Sequence, residues 1–300
     1  MKVFYYTHTG HRFTLARFRK AVAIINSFPD FEITLLTSDY KIASFSKEFG
    51  IKKAIGIDVL RNIPNVANHG DILIYDSDEH NEEQLQDMIY YFSKFIRLST
   101  LENDVCRQGE FLINPYIQNS DTTLNHLPVQ SQFFGKFQKD IDVTFFFGDD
   151  DYDKDLLKYA KDFGDFKPNL LLGFYYFIGY EDELSPYFEK IFEVEDYDEV
   201  IQKSKVVVTS SYQTALETLA SGGKPIYIER EDRDDSPNKF LSDLGIPVLK
   251  YFDSKKIIEI MNQHTEYKKI LNQNSQIQKK LEVLFKVENT LATPKFSRDK

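Results

Sequence analysis

The chain has 300 residues, of which 42% are hydrophobic and 28% charged, enough for one large domain or two ordinary ones with real cores. Its formal charge of −10 argues against non-specific binding to nucleic acid, and no apolar run approaches the length of a membrane span. The single cysteine, Cys106, excludes an internal disulfide and any cysteine-cluster metal site, and in the polar stretch ENDVCRQGE it is a poor nucleophile.

The opening residues, MKVFYYTHTG, lack the charged and long apolar regions of a secretory leader, so a cytoplasmic protein is expected. A strand over 2–7 leads into a helix over 12–27, whose Leu15, Phe18, Val22 and Ile25 recur at three- and four-residue spacing and whose end is set by Pro29. Strands follow at 32–37, 71–76, 95–100 and 110–115, with helices at 40–49 and 81–94. Residues 116–140 are polar and irregular and read as the crossing between domains.

A second alternating series then begins. Its strands are 142–148, 169–177, 205–210, 224–229 and 246–252. Its helices are near 152–163, 183–191, 197–203, 212–221 and 237–244, and a long final helix covers 254–286. Continuous apolar strands between helices mean parallel sheets covered on both faces. The expectation is an α/β protein with two Rossmann-like domains, 1–130 and 131–265. A terminal segment, 266–300, would carry a helix that crosses back to the first domain.

Ligands of open α/β sheets bind outside the carboxyl ends of the strands, so residues just after strands are the candidates. Gly10 and His11 follow the first strand. The glycine allows a tight turn, and a neutral histidine at a helix N-terminus can act as a general base. His8 shares part of that reading, as does a role as a turn residue or cap. Thr209, Ser210, Ser211, Gln213 and Thr214 offer hydroxyl, amide and backbone N–H donors at a helix start, suited to a diphosphate. Glu217, one turn deeper, could accept the hydroxyls of a ribose, although the whole stretch also reads as an ordinary capped helix.

Gly148 opens the acidic loop FGDDDYDKD, whose spacing is not that of an EF-hand and whose aspartates suit a helix N-terminus. Asp76 and Asp78 end another strand. Asp76 is a second candidate base, and Asp78 is read as the N-cap of helix 81–94. Arg12, Arg17 and Arg19 could attract an anionic sugar or acceptor, although for Arg19 and Lys20 a solvated helix face is the favoured reading.

Taken together, Gly10-His11 after the first strand and TSSYQTALETLASGGKP after a late one resemble the GT-B superfamily of nucleotide-sugar enzymes. Two relatives are the peptidoglycan GlcNAc transferase and the UDP-sugar hydrolase of the pseudaminic acid pathway. The hydrolase also has a strand ending in asparagine before its linker, as in EFLINP. Three departures stand out: Thr14 occupies the position of an arginine in the hydrolase, Ser210-Ser211 replaces a glycine pair, and Glu217 lies eight residues before Pro225.

The resemblance implies a GT-B fold with two parallel-sheet domains facing a cleft. His11 would be the base, Ser210 to Thr214 the pyrophosphate loop and Glu217 the ribose ligand. It further implies a UDP-sugar glycosyltransferase of bacterial surface-glycan or protein glycosylation, with no metal or other cofactor and with the nucleotide sugar as substrate. The partners would be that nucleotide sugar and a hydroxyl acceptor or water, with no nucleic acid and no membrane span; peripheral membrane contact is left open. A UDP-sugar hydrolase and a non-catalytic GT-B-like binder are the alternatives.

Overall fold

In a computed structural model, residues 1–286 are described except 10–14, 150, 152, 165, 175–180, 231–236, 271 and 273. Two sheets form, and every strand pair in both is parallel.

The first sheet holds β1 (Val3–Thr7), β2 (Ile33–Thr37), β3 (Ala54–Gly56), β4 (Ile72–Asp76), β5 (Lys94–Leu98), β6 (Glu110–Ile113) and β7 (Thr123–Leu124), in the order β3-β2-β1-β4-β5-β6-β7. The second holds β8 (Ile141–Phe146), β9 (Asn169–Leu171), β10 (Ile191–Phe192), β11 (Ser204–Thr209), β12 (Lys224–Ile228) and β13 (Val248–Leu249), in the order β10-β9-β8-β11-β12-β13. Each order reverses once, between β1 and β4 and between β8 and β11. These are the switch points where open sheets take ligands.

The apolar runs explain the sheets. β1, β2 and β4 are buried at every residue, and alternate side chains feed cores on opposite faces. Val3 and Tyr5 join Ile33, Leu35, Ile72 and Ile74 on one face, while Phe4, Tyr6, Leu36, Leu73 and Tyr75 line the other. The connecting helices are α1 (Ala16–Asn26), α2 (Tyr40–Phe45), α3 (Glu82–Tyr91), α4 (Leu156–Ala160), α5 (Glu181–Leu184), α6 (Tyr197–Lys203), α7 (Tyr212–Ala220), α8 (Asn238–Asp243), α9 (Ser254–Asn262) and α10 (Asn274–Phe285).

Several elements differ from the sequence expectation. β3, β7 and β10 are two or three residues long, too short to show a period. β7 and a 3-10 turn at Ser131–Phe133 lie inside the stretch read as irregular. The helix expected at 183–191 stops at Leu184 and passes into a 3-10 turn with Pro186 near its start. Residues 175–177 of the expected strand 169–177 lie outside the described residues, as do 12–14 of the first expected helix.

The long helix expected over 254–286 is two helices. Between them Lys268 N donates to Leu244 O, Tyr267 OH donates to Pro225 O, and Tyr267 and Ile270 pack on the second-sheet core. Tertiary packing outweighs helical propensity there. Gly245, at φ +81°, makes room: a Cβ on it would lie 2.2 Å from Glu266 O.

α10 then packs on the first sheet, where Ile277, Leu281 and Phe285 join the cluster of Val3, Phe28 and Ile33. Phe285 meets the rings of Phe28 and Phe31, each at 5.2 Å between centroids. Leu281 is fully buried. Leu281→Ala is expected to lower unfolding stability by about 2–5 kcal/mol, the usual cost of a buried leucine, as read by urea denaturation.

Candidate active site

The two switch points come together through α1. This helix is apolar around almost its whole circumference beyond Lys20, so it is buried rather than amphipathic. Its charged residues therefore require partners. Arg19 and Lys20 are each 2% exposed, which corrects their reading as a solvated face.

Arg19 reaches across to the second sheet. Its Nε and Nη2 donate to Asp149 Oδ2 and Oδ1 at 2.7 and 2.8 Å. The guanidinium also stacks on the Tyr197 ring, 3.4 Å from its centroid. Asp149 is held in the loop after β8, where Gly148 adopts φ +139° and Gly173 lets the backbones meet. A Cβ at Gly173 would lie 2.1 Å from Gly148 O. Asp151 of the same loop is turned to other partners: it accepts from Asp155 N and Leu156 N at the start of α4. Asp150 is outside the described residues, and no group of three or more potential metal ligands occurs among the described ones.

Behind Arg19 lies Glu217 on α7, fully buried. Tyr197 OH donates to its Oε2 at 2.6 Å and Gln213 Nε2 to its Oε1 at 3.3 Å. Burial pushes its carboxyl up to about 7 even though Arg19 and Tyr197 act against the shift. A ribose therefore reaches Glu217 only if Tyr197 and Arg19 move aside. Gln213 also donates to Pro128 O, and Thr214 Oγ1 is 2.7 Å from Tyr197 OH, so both belong to this network.

At the head of α7, Ser211 is the N-cap, its side chain accepting from Thr214 N. The buried Ser210 Oγ makes no hydrogen bond among the described residues. Ala16 of α1 packs in one core cluster with Tyr212 and Ala215, so the starts of α1 and α7 lie side by side. Gly10, His11 and Arg12 lie outside the described residues.

The first-sheet switch point carries a second charge network. Lys20 Nζ meets Asp76 Oδ1 at 2.9 Å, and Tyr5 OH donates to Asp76 Oδ2 at 3.0 Å. Asp78 is not a helix cap. It takes a bidentate bond from Arg17 at 2.9 and 3.0 Å, and His8 Nδ1 is 3.8 Å away. His8 and Arg17 hold its carboxyl well below the usual range. Asn81 caps α3 instead, in a reciprocal capping box with Gln84. α3 begins at Glu82, so Asp78 lies too far before its first turn to cap it.

These residues border a cavity of about 330 Å³ that Arg17, Lys20, Asp76, His80 and Arg97 help to line. His80, Arg97 and Arg107 of this wall went unmarked in the sequence. His80 sits in YDSDEH just after β4, so its place after a strand was the available signal. Two adjoining cavities of about 580 and 430 Å³ run between the sheets past Phe45, Phe174 and Glu195.

No protein-family model matches the chain, and no curated protein matches it in sequence. Solved structures do. The UDP-GlcNAc 2-epimerase of Methanocaldococcus jannaschii, in complex with UDP-GlcNAc and UDP, superposes with a TM-score of 0.58 at 12% identity over 95% of this chain and 100% of that one. Anabaena Alr3699/HepE in complex with UDP gives 0.57 at 10% identity over 94% and 100%. The spinosyn forosaminyltransferase SpnP gives 0.53 at 12% identity over 86% and 88%.

The chain has the GT-B fold. In this GT-B chain the buried Arg19–Asp149 pair joins the two Rossmann-like halves directly. Removing one partner leaves a buried charge alone, so Arg19→Ala is expected to cost roughly 3–5 kcal/mol of unfolding stability. Arg19→Met with Asp149→Leu should recover most of it, as measured by chemical denaturation.

Glu217 adds a pH dependence. Between its ordinary value of 4.5 and about 7, the folded chain keeps a proton that the unfolded chain has released. Its contribution is therefore full below about 4.5 and lost as pH rises through about 7. Glu217→Gln lacks that loss, so its stability relative to wild type should rise by roughly 2–3 kcal/mol from pH 5 to pH 8 in urea denaturation.

Proposed function

We propose that the chain is a nucleotide-sugar enzyme, a glycosyltransferase that moves a sugar from UDP to a hydroxyl acceptor. The observation that carries this reading is the head of α7 at the second-sheet switch point, where the buried Ser210 hydroxyl makes no hydrogen bond among the described residues. Helix N-termini collect backbone N–H groups and favour negative charge, so a diphosphate suits this place. That two GT-B structures similar to this one hold UDP supports the same choice.

The chemistry follows from the layout. The acceptor oxygen attacks the anomeric carbon, the bond from that carbon to the diphosphate breaks, and the electron pair leaves with UDP. The α7 N-terminus offsets the charge that develops on the leaving diphosphate, so the reaction asks for no metal. A histidine of the first domain takes the acceptor's proton. The sequence alone points to His11, outside the described residues. The cavity of about 330 Å³ beside β4 and β5 supports transfer over hydrolysis, because it gives an acceptor a place apart from the diphosphate.

Calorimetry with UDP and a panel of UDP-sugars tests the reading. UDP should bind, and UDP release should require a hydroxyl acceptor; release in buffer alone would mean that water is the acceptor. Absence of UDP binding overturns the proposal. Ser210→Ala should raise the Kd for UDP by about tenfold or more, the worth of a hydrogen bond to a charged group, with little change in stability.

A further inference from the structure

Resting on that reading, we propose that His80 is the catalytic base, its Nε2 taking the proton of an acceptor hydroxyl seated in the cavity at the first-sheet switch point. His80 is half-buried and lines that cavity with Lys20, Asp76 and Arg97. Its Nδ1 is 3.1 Å from Tyr75 Oη. When Nδ1 carries the proton and donates it to Tyr75, Nε2 keeps its lone pair for a substrate proton. The Tyr75 ring is fully buried, stacks on Tyr6 and meets the His80 ring edge-on, so the imidazole is braced rather than free to swing.

The surroundings keep this histidine in its basic form. Burial lowers its pKa, as do Arg97 on β5 and Arg107 on the following loop, while Glu82 on α3 and Asp78 pull the other way. The remaining groups at this switch point are already engaged. Asp76 is tied to Lys20 and Tyr5. His8 lies between two carboxylates, Asp78 at 3.8 Å and Glu79 at 3.7 Å.

The cavity also faces the other half of the molecule. Its wall includes Thr100, Leu101 and Asp104, and within the same loop Glu102 pairs with Lys239 of the second half. Nearby, Phe240 N donates to Tyr116 OH at 3.1 Å. In the proposed complex, an acceptor held there is met by a donor bound to the second half. The acceptor O–H gives its proton to Nε2 as its oxygen bonds to the anomeric carbon, UDP leaves with the bonding electron pair, and the imidazolium returns the proton to solvent.

The test compares His80→Gln, Tyr75→Phe and His11→Ala in the full chain, using UDP release from UDP-sugars and UDP calorimetry. His80→Gln should lower kcat by about 10²–10⁴-fold while the Kd for UDP stays within about twofold. Wild type should lose kcat/KM only below about pH 6.5, and His80→Gln should lose that acid limb. Tyr75→Phe, a positioning change, should lower kcat by about tenfold with KM unchanged, and it carries the test if His80→Gln does not fold. A His80→Gln enzyme with normal turnover beside a dead His11→Ala enzyme overturns the assignment and leaves the functional reading standing. A wild-type chain that binds no UDP, or binds it without turnover, overturns both.

Discussion

One buried ion pair organises this molecule. Arg19 leaves the first half, crosses the boundary and is received by Asp149 and the face of Tyr197. A charge so deeply buried is tolerated only with full compensation, and the surrounding sequence supplies it. Gly148 and Gly173 bring two loops close enough to hold Asp149 in place. Tyr197, in stacking on Arg19, also binds Glu217, and Glu217 in turn steadies Gln213 on α7. A chain of buried polar contacts thus runs from α1 to α7 across the boundary between the halves.

That arrangement explains why a fold of this kind was readable while its centre was not. Strands such as VFYYT and ILIYD are apolar throughout, and only a doubly covered parallel sheet accommodates them. The two stretches after strands, Gly10-His11 and Thr209 to Thr214, stood out because turn and cap chemistry is local. Arg19 and Asp149 are 130 residues apart, and no local pattern connects them. The misreading of Arg19 and Lys20 came from treating positive charge as a sign of solvent. The better sign was the absence of any polar face on the helix that carries them.

Length set the other limit. A two-residue strand such as β7 has no period, so it passed for irregular chain. The break between α9 and α10 was hidden for a different reason. Tyr267 and Ile270 are apolar residues at helical spacing, yet they serve an extended segment that packs on the second core. Spacing alone does not distinguish a residue that extends a helix from one that anchors a crossing.

That crossing has a mechanical meaning. The chain passes from the first sheet to the second after β7 and returns to the first core with α10. Two covalent tethers therefore span one boundary. A body hung from two strings swings about the line joining them and resists twisting. Gly245, by letting the return strand lie flat against the second half, fixes where one of those strings is tied. Parting the halves would separate Arg19 from Asp149 while leaving each sheet intact.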